Sequence, residues 1–151
     1  MPVQGDMTVQ GEVAVYLDAL GMHPTDARLT PVLDLPGPTT DTNEEREAGG
    51  NIVFHLAARS SGTEFMFSGE QLVAVFLGTQ PREAWGVHPR PDALIEGLSG
   101  TATRAEARER LGEPVWESAT DDRFRVGEDY LQLHYDADRI QVVIAAIGER
   151  D

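Results

Sequence analysis

Six short β-rich runs stand in two groups, and within each group the runs are joined by turns too short for anything but antiparallel pairing. The first group is Ile52 to Ala58, Thr63 to Phe67 and Gln71 to Leu77, divided by Ser60-Ser61-Gly62 and Ser68-Gly69-Glu70. The second is Arg123 to Val126, Tyr130 to Tyr135 and Ile140 to Ala146, divided by Gly127-Glu128-Asp129 and Asp136-Ala137-Asp138. Side chains alternate along a strand, so Phe65 and Phe67 face one way and Met66 the other. In the second group Leu131, Leu133 and Tyr135 oppose Tyr130, Gln132 and His134. Gln71 to Leu77 is apolar on both faces, which places that strand inside a sheet rather than at its edge.

Helical signals precede each group. Val9, Val13, Tyr16, Leu17 and Leu20 recur at helical spacing, with Thr8 as N-cap and Gly21 as the left-handed stop. Thr25 opens a second segment in which Leu29, Val32 and Leu33 share a face, and Pro31 either kinks it or confines it to its first turns. Leu35 to Gly50 holds Pro36, Gly37, Pro38, Glu44, Glu45, Glu47 and Gly49-Gly50, and reads as a mobile acidic loop over residues 36–50. Pro81, Pro89 and Pro91 around Gly86 make Gln80 to Asp92 an irregular crossing that carries Trp85 and His88. Thr103 and Glu106 then form a capping box, Ala107 and Leu111 give a buried edge, Gly112 ends the helix and Pro114 bars its continuation. A helix over 104–111 follows. The chain of 151 residues is expected to form one α+β domain, an antiparallel sheet or sheets with two or three helices on one face. Both halves share a helix-then-strands order, although no motif recurs between them.

Charge narrows the function classes. Twenty-six acidic residues against 12 basic ones, all arginine, give a net charge of −14. Phosphate backbones are repelled, so nucleic-acid binding is not expected, whereas a cationic partner would be steered inward. Solubility alone is the other reading of the same charge. Zero cysteines exclude disulfides, thiolate metal sites and a cysteine nucleophile. Met1 to Asp18 has neither an arginine nor a continuous apolar run, and no apolar stretch nears the roughly 20 residues of a membrane helix. The expectation is a cytoplasmic protein with no membrane partner.

Catalytic signatures are missing. His23, His55, His88 and His134 are scattered, and His134 with Asp136 supplies two ligands where zinc takes three or four, so no metal or cofactor is expected. Ser60, Ser61 and Ser68 lie at turns, and Gly49-Gly50 has no lysine and no capped helix behind it. Catalytic residues are therefore not assigned, and the chain is read as no enzyme. What remains is acid clustered with aromatics: Glu117, Asp121, Asp122, Glu128 and Asp129 beside Trp116, Phe124 and Tyr130. One reading makes Trp116 and Phe124 core residues and the acids solvated turn residues. The other makes Trp116, Asp121, Asp122, Glu128, Asp129, Tyr130, Gln132 and His134 a partner-binding surface, with aromatic anchors and a charged rim. As exposed turn residues, Asp121 and Asp122 are expected to be dispensable for folding.

The stretch Thr103 to Pro114 has the form T-R-x-E-(x)4-L-G-x-P and is followed by three strands; with them, over residues 101–147, it resembles the SmpA/BamE-like module. That module also occurs in tandem in β-lactamase inhibitory proteins. Together with Leu17-Asp18-Ala19-Leu20-Gly21 and with Glu64-Phe65-Met66-Phe67 leading into Leu72 to Leu77, the order is similar to immunity proteins of the pyocin and polymorphic-toxin type. The outer-membrane members are lipoproteins, and this chain has no cysteine, so a role in outer-membrane assembly is not carried over. The resemblance implies a bacterial immunity-type protein that binds a basic toxin domain and occludes it, without chemistry. The alternatives are a module of the same fold that binds a small cationic or amphipathic ligand or serves an assembly, and, third, an uncharacterised hydrolase.

Overall fold

A computed structural model describes residues 9–39, 41–46 and 49–148. Three helices, α1 (Glu12–Ala19), α2 (Thr30–Asp34) and α3 (Arg104–Leu111), accompany eight strands. The strands are β1 (Asp41–Arg46), β2 (Ile52–Ala58), β3 (Thr63–Ser68), β4 (Gln71–Gly78), β5 (Trp116–Glu117), β6 (Asp121–Val126), β7 (Asp129–Asp136) and β8 (Arg139–Ala146). They form one antiparallel α+β sheet in the order β1-β2-β3-β4-β8-β7-β6-β5. That order is a palindrome: each half is a helix-led meander of four strands, and β4 meets β8 in the middle, where Ala74 pairs Ala146 and Gly78 pairs Val142. The helix-then-strands order common to the two halves of the sequence thus becomes a near-symmetric sheet, with β4 in its interior.

Local chemistry explains the element ends. Thr103 and Glu106 make the capping box of α3 reciprocally, and the backbone turns out of the helix at Gly112, where φ is +92°. The N-cap expected at Thr8 lies outside the described residues; α1 starts after Gly11, whose positive φ and close approach to the Leu94 carbonyl leave no room for a Cβ. In the second segment the cap is Asp26 rather than Thr25. Its carboxylate accepts the Arg28 N–H and is also bound by the Arg28 side chain, which a threonine hydroxyl cannot match. Pro31 sits in the first turn of α2, where its missing N–H costs nothing.

One correction concerns the acidic stretch. Residues 41–46, inside the segment read as a loop, form β1, paired with β2 from Asp41↔Ala57 to Arg46↔Ile52. Its composition is poor in strand formers; pairing to β2 supplies what propensity does not.

The sheet has one covered face. Phe65, Phe67, Leu72, Val75 and Leu77 from the first half join Phe124, Leu131, Leu133, Tyr135, Ile140 and Val143 from the second, under Val13, Tyr16, Leu17, Leu29, Val32, Ala107 and Leu111 of the helical segments. The connection through Leu94, Ile95 and Leu98 completes this layer. All three helices pack on this side. Among the described residues no helix is long and apolar enough to cross a membrane.

Candidate functional site

Strand pairing decides which side chains reach the uncovered face. His134 lies opposite Asp121, Gln132 opposite Arg123 and Tyr130 opposite Arg125, while Trp116 of β5 lies opposite Arg123. Toward the middle of the sheet the same face continues through Ile144 and Val142 of β8 and Phe76 and Ala74 of β4 to Met66 and Glu64 of β3. The alternation read from β7 therefore holds, with Leu131, Leu133 and Tyr135 buried beneath and Tyr130, Gln132 and His134 half-exposed above.

The outer part of this face is a connected polar and aromatic set. Arg123 stacks between Trp116 and Tyr130, 5.0 and 5.5 Å from their centroids, and Arg125 lies 5.7 Å from Tyr130. Arg123 Nε donates to Gln132 Oε1 (2.9 Å), whose amide donates to Asp121 Oδ2 (2.7 Å). His134 Nδ1 lies 2.9 Å from Asp121 Oδ1, which also accepts from Thr120 Oγ1 at 2.6 Å. Burial pushes the Asp121 carboxyl up, but the hydrogen bonds from Thr120, His134 and Gln132 outweigh it and hold the group below the usual carboxylate range. Among the described residues no hydroxyl hydrogen-bonds the His134 ring. Trp116 stands 46% exposed, which removes it from the core and leaves it available as an anchor.

The neighbouring aspartate has the opposite fate. Asp122 is not an exposed turn residue; it belongs to β6, points to the covered face and is fully buried. Arg104 and Arg108, one turn apart on α3, both bind it, with Nη2 to Oδ1 at 2.7 Å in each case, and the Tyr135 hydroxyl donates to Oδ2 at 3.0 Å. Desolvation by burial raises its pKa, yet these donors hold it lowered overall, and burial together with Asp122 raises the Tyr135 hydroxyl far above its ordinary value. Arg104 also donates to the carbonyls of Ser118, Ala119 and Asp121, and Arg108 pairs with Glu117. This clasp ties α3 to the β5–β6 corner and so sets the positions of Trp116 and Asp121 on the other side of the sheet. Two residues adjacent in sequence thus serve opposite faces, as a period of two requires.

Glu128 and Asp129 are not beside Asp121. They form the β6–β7 turn, five residues along the strand and so about 17 Å away. There Asp129 accepts the Gly148 N–H at 3.0 Å. Of the expected binding residues, Trp116, Asp121, Tyr130, Gln132 and His134 come together; Glu128 and Asp129 sit at the far end, and Asp122 is behind the sheet. Arg123 and Arg125 were missed by a reading centred on acids, although their period-two spacing with Asp121 is visible in the sequence.

Two other polar groups complete the picture. On the first half of the uncovered face a shallow basin of about 460 Å³ is lined by Asp41, Asn43, Glu45, His55, Arg59 and Glu64. Under the covered face Glu12 of α1 accepts from the Tyr16 hydroxyl (2.7 Å) and from Arg90 Nε (2.6 Å), and lies 2.9 Å from Nε2 of the buried His88. Because His88 Nδ1 accepts the Arg90 N–H at 3.0 Å, the ring proton sits on Nε2 and points at Glu12. Among the described residues no three histidine, aspartate or glutamate side chains converge as a metal site. Compared with protein-family models, with curated proteins and with solved structures, the chain finds no match.

Proposed function

We propose that this protein is an immunity-type inhibitor, a non-catalytic scaffold that binds a cognate toxin domain and occludes it in the bacterial cytoplasm. The observation that carries the reading is the uncovered sheet face. Seven inter-strand spacings make it about 34 Å wide, and with strands of about 20 Å it offers on the order of 700 Å². A standard protein interface takes about 800 Å² per partner. Its outer part is built from tryptophan, tyrosine and arginine, the residue types that dominate binding energy. The palindromic strand order also fits two copies of a helix-plus-meander unit, with Thr103 to Pro114 opening the second, in keeping with the resemblance to the SmpA/BamE-like module.

A net charge of −14 favours a basic partner and speeds its approach, while contacts at the face give it residence time. A nuclease toxin is one such partner, its active site covered by carboxylates where phosphates would lie. The test is co-expression with the toxin domain encoded in the adjacent reading frame, scored by growth and by co-purification. Rescue with a stable complex, lost on Trp116→Ala plus Tyr130→Ala, supports the reading. Toxicity unchanged by the folded protein, with no complex at micromolar concentration, overturns it.

A further inference from the structure

All six residues of strand β1 are exposed, whereas the other strands of six or more residues each bury part of theirs. Among the described residues β1 forms one edge of the sheet, its register with β2 runs unbroken over six pairs, and it contains no proline and no bulge. Its outward N–H and C=O groups are therefore a pairing template of the kind that proteins normally blunt. The opposite edge is blunted: β5 has two residues and is tied to α3 through Glu117 and Arg108.

Building on the inhibitor reading above, we infer that β1 takes a basic, extended segment of the partner protein as a ninth strand. The charges on β1 select this occupant. Glu44 lies on the covered side of the sheet, opposite Phe54, while Asp41 and Glu45 lie on the uncovered side, opposite Ala57 and Val53. An added strand meets carboxylates on both of its faces, and opposite charges across a pair stabilise it. On the uncovered side the basin, with Glu45 in its near wall, lies where alternate side chains of the added strand would reach. Nearby cations are engaged: Arg59 with Asp41 at 3.0 Å, and Arg46 with the Gly50 carbonyl. A second copy of this chain would bring the same acids edge to edge and be repelled.

The test needs no toxin, so its failure leaves the growth-rescue experiment untouched. The full-length protein, labelled with ¹⁵N, is titrated with acetyl-Lys-Thr-Lys-Thr-Lys-Thr-amide, with the same peptide methylated at every backbone nitrogen, and with the peptide carrying glutamate for lysine. The expected result is amide shift changes concentrated in residues 41–46 and in their β2 partners, with at least tenfold weaker binding of the methylated and glutamate peptides. The folded Glu44→Gln, Glu45→Gln double variant should lose the lysine peptide to a similar degree. Equal binding of the methylated peptide, shifts centred elsewhere, or no response at millimolar peptide overturns the inference.

Discussion

At one end of the sheet the outer strands are clamped by a helix; at the other the outer strand is held by its ladder to β2 and by the Arg59–Asp41 pair. The clamp is ionic and buried: Arg104 and Arg108 of α3 close on Asp122, and Arg104 adds three backbone carbonyls of the β5–β6 corner. The free end has only exposed residues. Two meanders of the same order thus end differently, and the difference follows from where each half places its charges. Charge buried between helix and sheet fixes a register, and the fixed corner can present Trp116 and Arg123 in one geometry. Charge left on an edge strand holds it only at the surface, as Arg59 holds Asp41, and keeps the backbone available.

The largest expected effect breaks the clamp. Asp122→Ala removes the buried carboxylate shared by two guanidinium groups and the Tyr135 hydroxyl; because the arginines keep some solvent, and Arg104 keeps its carbonyls and Arg108 keeps Glu117, the cost is expected near the low end for such a loss, about 3 kcal/mol. Asp121→Ala, one position away, removes part-buried hydrogen bonds and is expected to cost about 1 kcal/mol. Urea unfolding of both variants checks this, and equal losses would remove the distinction between the two faces.

Trp116→Ala probes the uncovered side of the same corner. Its exposed ring contributes little to the fold, so unfolding should change by less than about 0.5 kcal/mol. As an anchor it should cost about 2 kcal/mol in partner affinity, roughly 30-fold, read by titration calorimetry.

Acid should separate the two helices. Burial, the largest influence, holds the His88 pKa below its ordinary value, partly opposed by Glu12, so the folded state binds fewer protons than the unfolded one. Stability is then highest above about pH 6.5 and falls as the pH drops below it. Glu12 adds a loss of the same sign at lower pH: burial raises its pKa, but Arg90, Tyr16 and His88 leave it lowered overall. Asp122 is likewise lowered, so the α3 clamp stays ionised through the range in which His88 weakens the contacts of α1. Hydrogen exchange at pH 7.5 and 5.5 should show α1 losing protection before α3, and His88→Gln should flatten the dependence. Last and smallest, Glu44→Gln with Glu45→Gln should leave unfolding within about 0.5 kcal/mol, since both side chains are exposed.

What could be read from residues alone divides along a physical line. Helix α3 is legible because its cap, its stop and its apolar edge are all local. The hairpins from Ile52 to Gly78 and from Arg123 to Ala146 are legible because alternation and tight turns specify them together. β1 is not, since Asp41-Thr42-Asn43-Glu44-Glu45-Arg46 has the composition of a loop and becomes a strand by pairing across the chain. Asp122 was hidden for a related reason: an aspartate pair reads as a turn until two arginines spaced four apart on a helix 14 to 18 residues earlier are seen to converge on one of them. Within the candidate site, the faces of β7 were legible and the arginines of β6 were not, because stacking on Trp116 and Tyr130 depends on register rather than on composition.

The uncovered face as the docking surface is tested most directly by side-chain footprinting with hydroxyl radicals, comparing the free protein with its complex with the co-expressed toxin domain. Protection is expected at Trp116, Tyr130, Met66 and Phe76, which lie on that face, with Leu33 and Val15 of the helical layer unchanged. Protection of Val15 and Leu33 with Trp116, Tyr130, Met66 and Phe76 fully reactive would contradict it.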